Sequence, residues 1–249
     1  MTEAVIVEIK NLLVEKTPRL TPEQKLRMYK IINPDISNYV KYGVKVAEIE
    51  NIVKNVYNKF VCTYQDAIEI FKMLTKSNVE EEKFAAFLFL NRFKKNFNEG
   101  TIDFFREEYA RHCHTWSHCD STCVRVIGPF LGKQGNEELA KRTINEWSNS
   151  DNIWIKRASM VILLKITMIR KDFDEDYVFA LVEKMLKYSE ANYIEKGIGW
   201  LLKTCSKYKP EVIIDYLSKN KNFLSKLILR YASEKLPKEK RVEILNKKI

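Results

Sequence analysis

VEEEKFAAFLFLNRFKKNF, residues 79–97, decides the fold class. Its middle is apolar all round, which no helix lying on a surface can be, so it reads as a buried helix. Upstream, residues 3–15 carry apolar positions at helical spacing and stop before Thr17-Pro18. Thr21-Pro22-Glu23 supplies a cap, a proline at the first helical position and an early acid, a helix start. Asn33-Pro34-Asp35 reads as a turn. Val46, Ile49, Ile52, Val53, Val56 and Phe60 form one apolar stripe. Thr63 and Thr101 are expected to cap helices 64–74 and 102–112. Downstream, helices are expected over 120–131, 137–148, 152–170, 174–188, 191–207, 210–219, 222–234 and 238–248. Seven Gly and six Pro in 249 residues leave too few turn residues for an all-β chain. The chain is expected to be all-α.

Acidic residues interrupt the apolar run of MTEAVIVEIKNLLVEK, so it does not read as a signal peptide. No run of about eighteen apolar residues exists, so no membrane span is expected. Five cysteines, an odd number, suggest reduced thiols and an intracellular address, the cytoplasm with the nucleoid or a nucleus. The net charge of +10 is uneven: residues 196–249 hold fourteen Lys/Arg against five Asp/Glu, a net of +9. Such asymmetry suits a polyanion, most simply nucleic acid. A lysine-rich surface that only confers solubility is the other reading, and charge alone leaves both open.

A weak internal period accompanies the helices. Lys83 precedes Phe84-Ala85-Ala86, Arg157 precedes Ala158-Ser159, Lys196 precedes Gly197, and Arg230 precedes Tyr231-Ala232. The spacings are 74, 39 and 34, and the midpoint of the first falls at Asp120-Ser121. A charged residue followed by small ones every 34–39 positions resembles degenerate HEAT-type repeats. The resulting expectation is one α-solenoid domain over residues 1–249, with Lys83, Asp120, Arg157, Lys196 and Arg230 along a concave, basic face.

Residues 111–132, RHCHTWSHCDSTCVRVIGPFLG, concentrate the chemistry. His112, Cys113, His114, His118, Cys119 and Cys123 are of zinc-ligand type, but their spacing matches no closed zinc pattern and no second motif completes a tetrahedron. No metal is expected; the cysteines read as small core residues. Trp116 and Asp120 are four apart and share a face if the helix begins early enough. An aromatic face beside a carboxylate can stabilise a developing cation, although a core tryptophan and a helix cap would look the same. In Glu195-Lys196-Gly197-Ile198-Gly199-Trp200, two helical glycines cost about 1 kcal/mol each against alanine. They mark a close approach, either of a ligand or of another helix. In Ser150-Asp151-Asn152-Ile153-Trp154-Ile155-Lys156-Arg157, Ser150 or Asp151 is expected to cap and Trp154 to pack. Arg157 enters an apolar run and needs a carboxylate or a phosphate.

Taken in order, TWSHCDSTCVRVIGPFLGK, SDNIWIKRAS and KGIGWLLK followed by Lys209-Pro210-Glu211-Val212 resemble the AlkD-like DNA alkylation repair proteins, alkylpurine DNA glycosylases built from HEAT-like repeats. YGVKVAEIENI and EEKFAAFLFL resemble that family's N-terminal repeats, so the likeness spans nearly the whole chain. The resemblance implies a monofunctional glycosylase that removes N3- or N7-alkylated purines from double-stranded DNA. Trp116 and Asp120 match the tryptophan and catalytic aspartate of W-x-x-x-D, Trp200 the second active-site tryptophan, and Arg157 the arginine that contacts the DNA backbone. Lys156, Lys196, Lys203, Arg230, Lys83, Gly197 and Gly199 join the expected DNA-facing set. Lys203 stands where some relatives carry arginine, and Ser117, His118 and Cys119 are not those of the best-known members. No cofactor, membrane or obligate protein partner is expected, and a monomer suffices. A non-catalytic module for branched or distorted DNA is the alternative, and a protein–protein scaffold a third reading that the basic C-terminal region disfavours.

Overall fold

The computed structural model describes residues 1–189 and 192–246. Helices make up most of these, and the one β pairing among the described residues is a parallel bridge between Val40 and Val79. The chain divides into two compact units, Met1–Val126 and Ile127–Ile249.

The first unit holds α1 (Thr2–Glu15), α2 (Pro22–Ile32), α3 (Val46–Lys59), α4 (Tyr64–Thr75), α5 (Glu80–Leu90), α6 (Glu99–His112) and α7 (Trp116–Thr122). Helix α5, the heart of the opening stretch, packs against α1, α3, α4 and α7. All 11 of its residues are buried. Each large apolar side chain withdrawn from water there contributes about 1.5–3 kcal/mol. Its first turn is buried too, although it is Glu80-Glu81-Glu82. Acids at a helix N-terminus complement the dipole, and they are also partnered. Glu81 accepts hydrogen bonds from Tyr42 N at 3.0 Å and Gly43 N at 2.7 Å. Glu82 faces the Lys10 ammonium at 2.9 Å.

Thr21 caps α2 in a reciprocal box with Gln24, and left-handed Asn33 ends that helix at the expected turn. Thr63 caps α4 as expected. Thr101 does not cap α6: Asn98 does, and Thr101 returns the bond to the Asn98 backbone from the third helical position. Asparagine is as good a cap as threonine, and Asn98-Glu99-Gly100-Thr101 holds both halves of the box.

The second unit holds α8 (Gly128–Leu131), α9 (Glu137–Ser148), α10 (Ile153–Arg170), α11 (Glu175–Leu186), α12 (Asn192–Cys205), α13 (Pro210–Asn220), α14 (Lys226–Ala232) and α15 (Lys238–Leu245). Asn152, rather than Ser150 or Asp151, caps α10 by accepting from the Trp154 and Ile155 amides. Ser225 caps α14, whose first residue, Lys226, comes four residues later than the expected start at 222. The start of the expected helix 191–207 and the last two residues of 238–248 lie outside the described residues.

Helix α10 packs on α9 and α12, and α12 packs on α14. Side chains tie successive elements at a constant offset. Tyr177 Oη donates to Lys141 O, Lys184 Nζ to Ser148 Oγ, Arg157 Nη1 to Tyr193 O and Lys209 Nζ to Phe173 O, each pair 36 residues apart. This is a helical repeat written in contacts, within the range of spacings read from the sequence.

The two helical glycines of α12 are explained by this packing. A Cβ on Gly199 would lie 2.5 Å from Tyr231 Cβ on α14, and one on Gly197 would lie 2.7 Å from Met160 Cε on α10. Both glycines are buried. They bring helices together, and they leave the DNA-facing set for that reason. Their substitutions should separate cleanly. Tyr231 Cβ is fixed to backbone, so Gly199→Ala forces α12 and α14 apart and is expected to cost about 1–3 kcal/mol despite the helix-propensity gain. Met160 Cε is the free end of a flexible chain, so Gly197→Ala should stay within about 1 kcal/mol of wild type. Thermal or urea unfolding of the two variants checks the order.

Candidate functional site

Helix α7 begins with Thr115, whose hydroxyl accepts from His118 N at 3.1 Å. The helix therefore starts four residues earlier than the expected 120, and Trp116 and Asp120 stand one turn apart on it. Trp116 is half-buried, and its indole Nε1 donates to Ile31 O, near the end of α2, at 3.1 Å. Asp120 is 6 % exposed. Beyond Thr122 the chain widens into a π-helical turn, Cys123–Ile127, an irregularity that often sits beside functional residues.

The neighbouring histidines and cysteines serve the core. His118 lies between the rings of Phe87 and Tyr109, with centroids 6.1 Å and 5.1 Å away. Burial holds its pKa well below the usual imidazole value, so the ring is neutral, and neither ring nitrogen has a hydrogen-bond partner. Cys113, Cys119 and Cys123 are buried, and burial pushes the thiols of Cys113 and Cys123 up, away from thiolate. Among the described residues, no three His, Cys, Asp or Glu side chains are grouped to hold a metal ion.

Lys83 goes elsewhere than expected. It is 0 % exposed, and its ammonium donates to Thr75 O and His112 O. Thr75 and His112 are the last residues of α4 and α6. One buried cation thus satisfies carbonyls at two helix C-termini, where a positive charge also meets the negative ends of both dipoles. Lys83 has no surface to offer DNA.

In the second unit Trp147 and Trp154 are core residues, 1 % and 2 % exposed, and Trp154 packs as expected, against Tyr193. Trp200, on α12, stays half-buried like Trp116. Arg157 is 4 % exposed, and its guanidinium donates to Tyr193 O at the start of α12. Lys156 is 6 % exposed, with its ammonium 4.1 Å from the centre of the Tyr188 ring. Lys203 pairs with Glu234 at 2.7 Å, and that bond holds the Glu234 carboxyl below its usual range. Lys196 is half-buried and Arg230 is exposed. Trp116 and Asp120 belong to the first unit; Arg157, Lys196, Trp200, Lys203 and Arg230 belong to the second.

The sequence reading overlooked the residues behind α7: Thr115, and Glu80, whose carboxylate accepts from the Thr115 hydroxyl at 3.1 Å. A signal was available, since three consecutive acids opening a helix that must be buried are out of place without partners.

An all-α repeat protein, with a tryptophan–carboxylate pair on one short helix and a basic C-terminal region, is the class that fold and site define. A family model for DNA alkylation repair enzymes matches residues 20–236, and the chain belongs to that family. It is thereby an enzyme of DNA repair, with DNA as its partner. A solved structure described as "Predicted DNA alkylation repair enzyme from Enterococcus faecalis" shares 18 % identity at a TM-score of 0.69, covering 88 % of this chain and 98 % of that one. At that identity the likeness is one of fold. No curated protein matches the chain.

Proposed function

We propose that the chain is a monofunctional DNA glycosylase, built of HEAT-like repeats, that hydrolyses the N-glycosidic bond of cationic N3- or N7-alkylated purines in duplex DNA. The observation that carries this reading is the pair on α7: a half-buried Trp116 with its indole pinned, one turn from the buried carboxylate of Asp120. An alkylated purine already bears positive charge, so it leaves without a strong general acid. As the bond breaks, positive charge moves to the deoxyribose, as in glycoside hydrolysis. The Asp120 carboxylate stabilises that charge and orients a water molecule to the anomeric carbon. Trp116 and Trp200, the two tryptophans withheld from the core, lie against the sugar and favour its cationic form by ~0.5–2 kcal/mol each. Lys196 and Arg230 hold flanking phosphates, giving salt-sensitive and sequence-independent affinity. Lys203 joins them by exchanging Glu234 for phosphate, and Arg157 by turning from Tyr193 O. None of these steps calls on a cofactor, and one chain suffices as a monomer.

The deciding experiment is release of free base from duplex DNA containing 7-methylguanine or 3-methyladenine. Wild type is expected to release base without nicking the strand, and Trp200→Ala to release it more slowly. A wild-type protein that binds the duplex but releases no base would replace the enzyme by a DNA-binding module.

A further inference from the structure

The segment that enters α7 is held almost residue by residue, from α5, from the end of α2 and from the turn after α2. Lys83 Nζ, from α5, donates to His112 O at 2.8 Å. Asp35 N donates to His114 O at 3.1 Å, and the Asp35 carboxylate meets His114 Nδ1 at 2.9 Å. Glu80 Oε2 accepts from Thr115 Oγ1, and Ile31 O accepts from Trp116 Nε1. Lys83 and Thr115 are 0 % exposed, and Glu80 is 2 % exposed.

A threonine cap alone stabilises a helix by about 1 kcal/mol and needs no carboxylate behind it. Burying a carboxylate is costly. Glu80 is nonetheless buried, and it also accepts from Tyr39 Oη and faces Lys41 Nζ at 3.5 Å. The Thr115 hydroxyl has one proton, and a charged acceptor dictates where it points. With the proton given to Glu80, an oxygen lone pair is left for His118 N. Glu80 thus fixes a single rotamer of the capping hydroxyl, and that rotamer fixes where the first turn of α7 begins.

We propose that Glu80 is a positioning residue: acting through Thr115, it sets the start of α7 and so the stance of the Trp116 ring and the Asp120 carboxylate. The role in catalysis rests on the glycosylase reading above; the role in placing Trp116 does not.

Two readouts keep these separate. The first is solvent exchange of the Trp116 indole N–H, followed by NMR and assigned with Trp116→Phe. The second is single-turnover release of 7-methylguanine alongside duplex affinity. Thr115→Val, which keeps the shape and removes the hydroxyl, should speed indole exchange and slow base release by at least about tenfold each, with affinity unchanged. Thr115→Ser, which keeps the hydroxyl, should stay within about threefold of wild type on both. Glu80→Met should match Thr115→Val, and the double variant should be no worse than either, because both cut one chain of bonds. Should Glu80→Met fail to fold, the two Thr115 variants decide. The proposal is overturned if Thr115→Val leaves the indole as in wild type, if Thr115→Ser falls as far as Thr115→Val, or if the losses add. A wild type that releases no base removes the glycosylase reading, while the indole exchange still decides the placement of Trp116.

Discussion

Asp120→Asn is expected to release alkylated base at least tenfold more slowly than wild type while binding the same duplex equally well. Asparagine keeps the shape of the side chain and one acceptor oxygen, so α7 should survive and the charge alone is removed. That charge is the point. A carboxylate 6 % exposed sits where water screens it poorly, and unit charges 4 Å apart at an effective dielectric of 20 attract by about 4 kcal/mol. Each tenfold in rate corresponds to about 1.4 kcal/mol, so even a part of this attraction, developed only as the sugar becomes cationic, suffices. Single-turnover base release and a binding titration on one duplex separate the terms. Wild-type rates in the asparagine variant would remove Asp120 from the chemistry. A parallel loss of affinity would recast it as a binding residue.

The largest expected effect on stability belongs to Lys83→Met. The methionine fills much of the same volume but leaves the carbonyls of Thr75 and His112 buried without their donor. At about 1–3 kcal/mol for each of the two orphaned groups, the loss should be ~2–6 kcal/mol, enough to threaten a domain of ordinary stability. The loss should also depend on pH. Burial lowers the Lys83 pKa from 10.5 to about 8. Between those values the unfolded chain binds a proton that the folded chain does not, so wild-type stability gains with rising pH over that window. The variant has no such group. The gap between the two proteins should therefore widen by ~3 kcal/mol from pH 8 to pH 10.5 and hold steady below pH 8. Urea unfolding of both proteins at pH 7, 8.5 and 10 checks the size and the sign together.

Lys83 also marks the limit of what the sequence discloses. A helix apolar on every side has to be buried, and α5 is; that much follows from pattern alone. Lysine is ambiguous, because its long stem permits either a solvated ammonium or one threaded inward to helix ends. Which occurs depends on where α4 and α6 stop, and that is a tertiary matter. Gly197 and Gly199 were equally undecided, since a close approach is visible in sequence while the identity of what approaches is not. Trp116 and Asp120 were legible as a pair only on condition that the helix started early. Thr115 supplies that start, held by Glu80, 35 residues away in the chain. Caps were misread wherever two capping residues stood close together, as Asn98 with Thr101 and Asn152 with Ser150 and Asp151. The choice there depends on neighbouring helices more than on local preference.

The ties of constant offset in the second unit bear on how that unit comes apart and together. Each joins residues 36 apart, from Lys141–Tyr177 to Phe173–Lys209. Chain segments that need only find the next repeat pay little loop-closure entropy, and such low contact order goes with fast folding. Stability then accumulates from neighbour to neighbour, as in a zipper, and the terminal element has a neighbour on one side only. Amide hydrogens of α15 should accordingly exchange first and those of α10 last. Loosening should travel inward from the C-terminal end, reaching Trp200 well before Arg157.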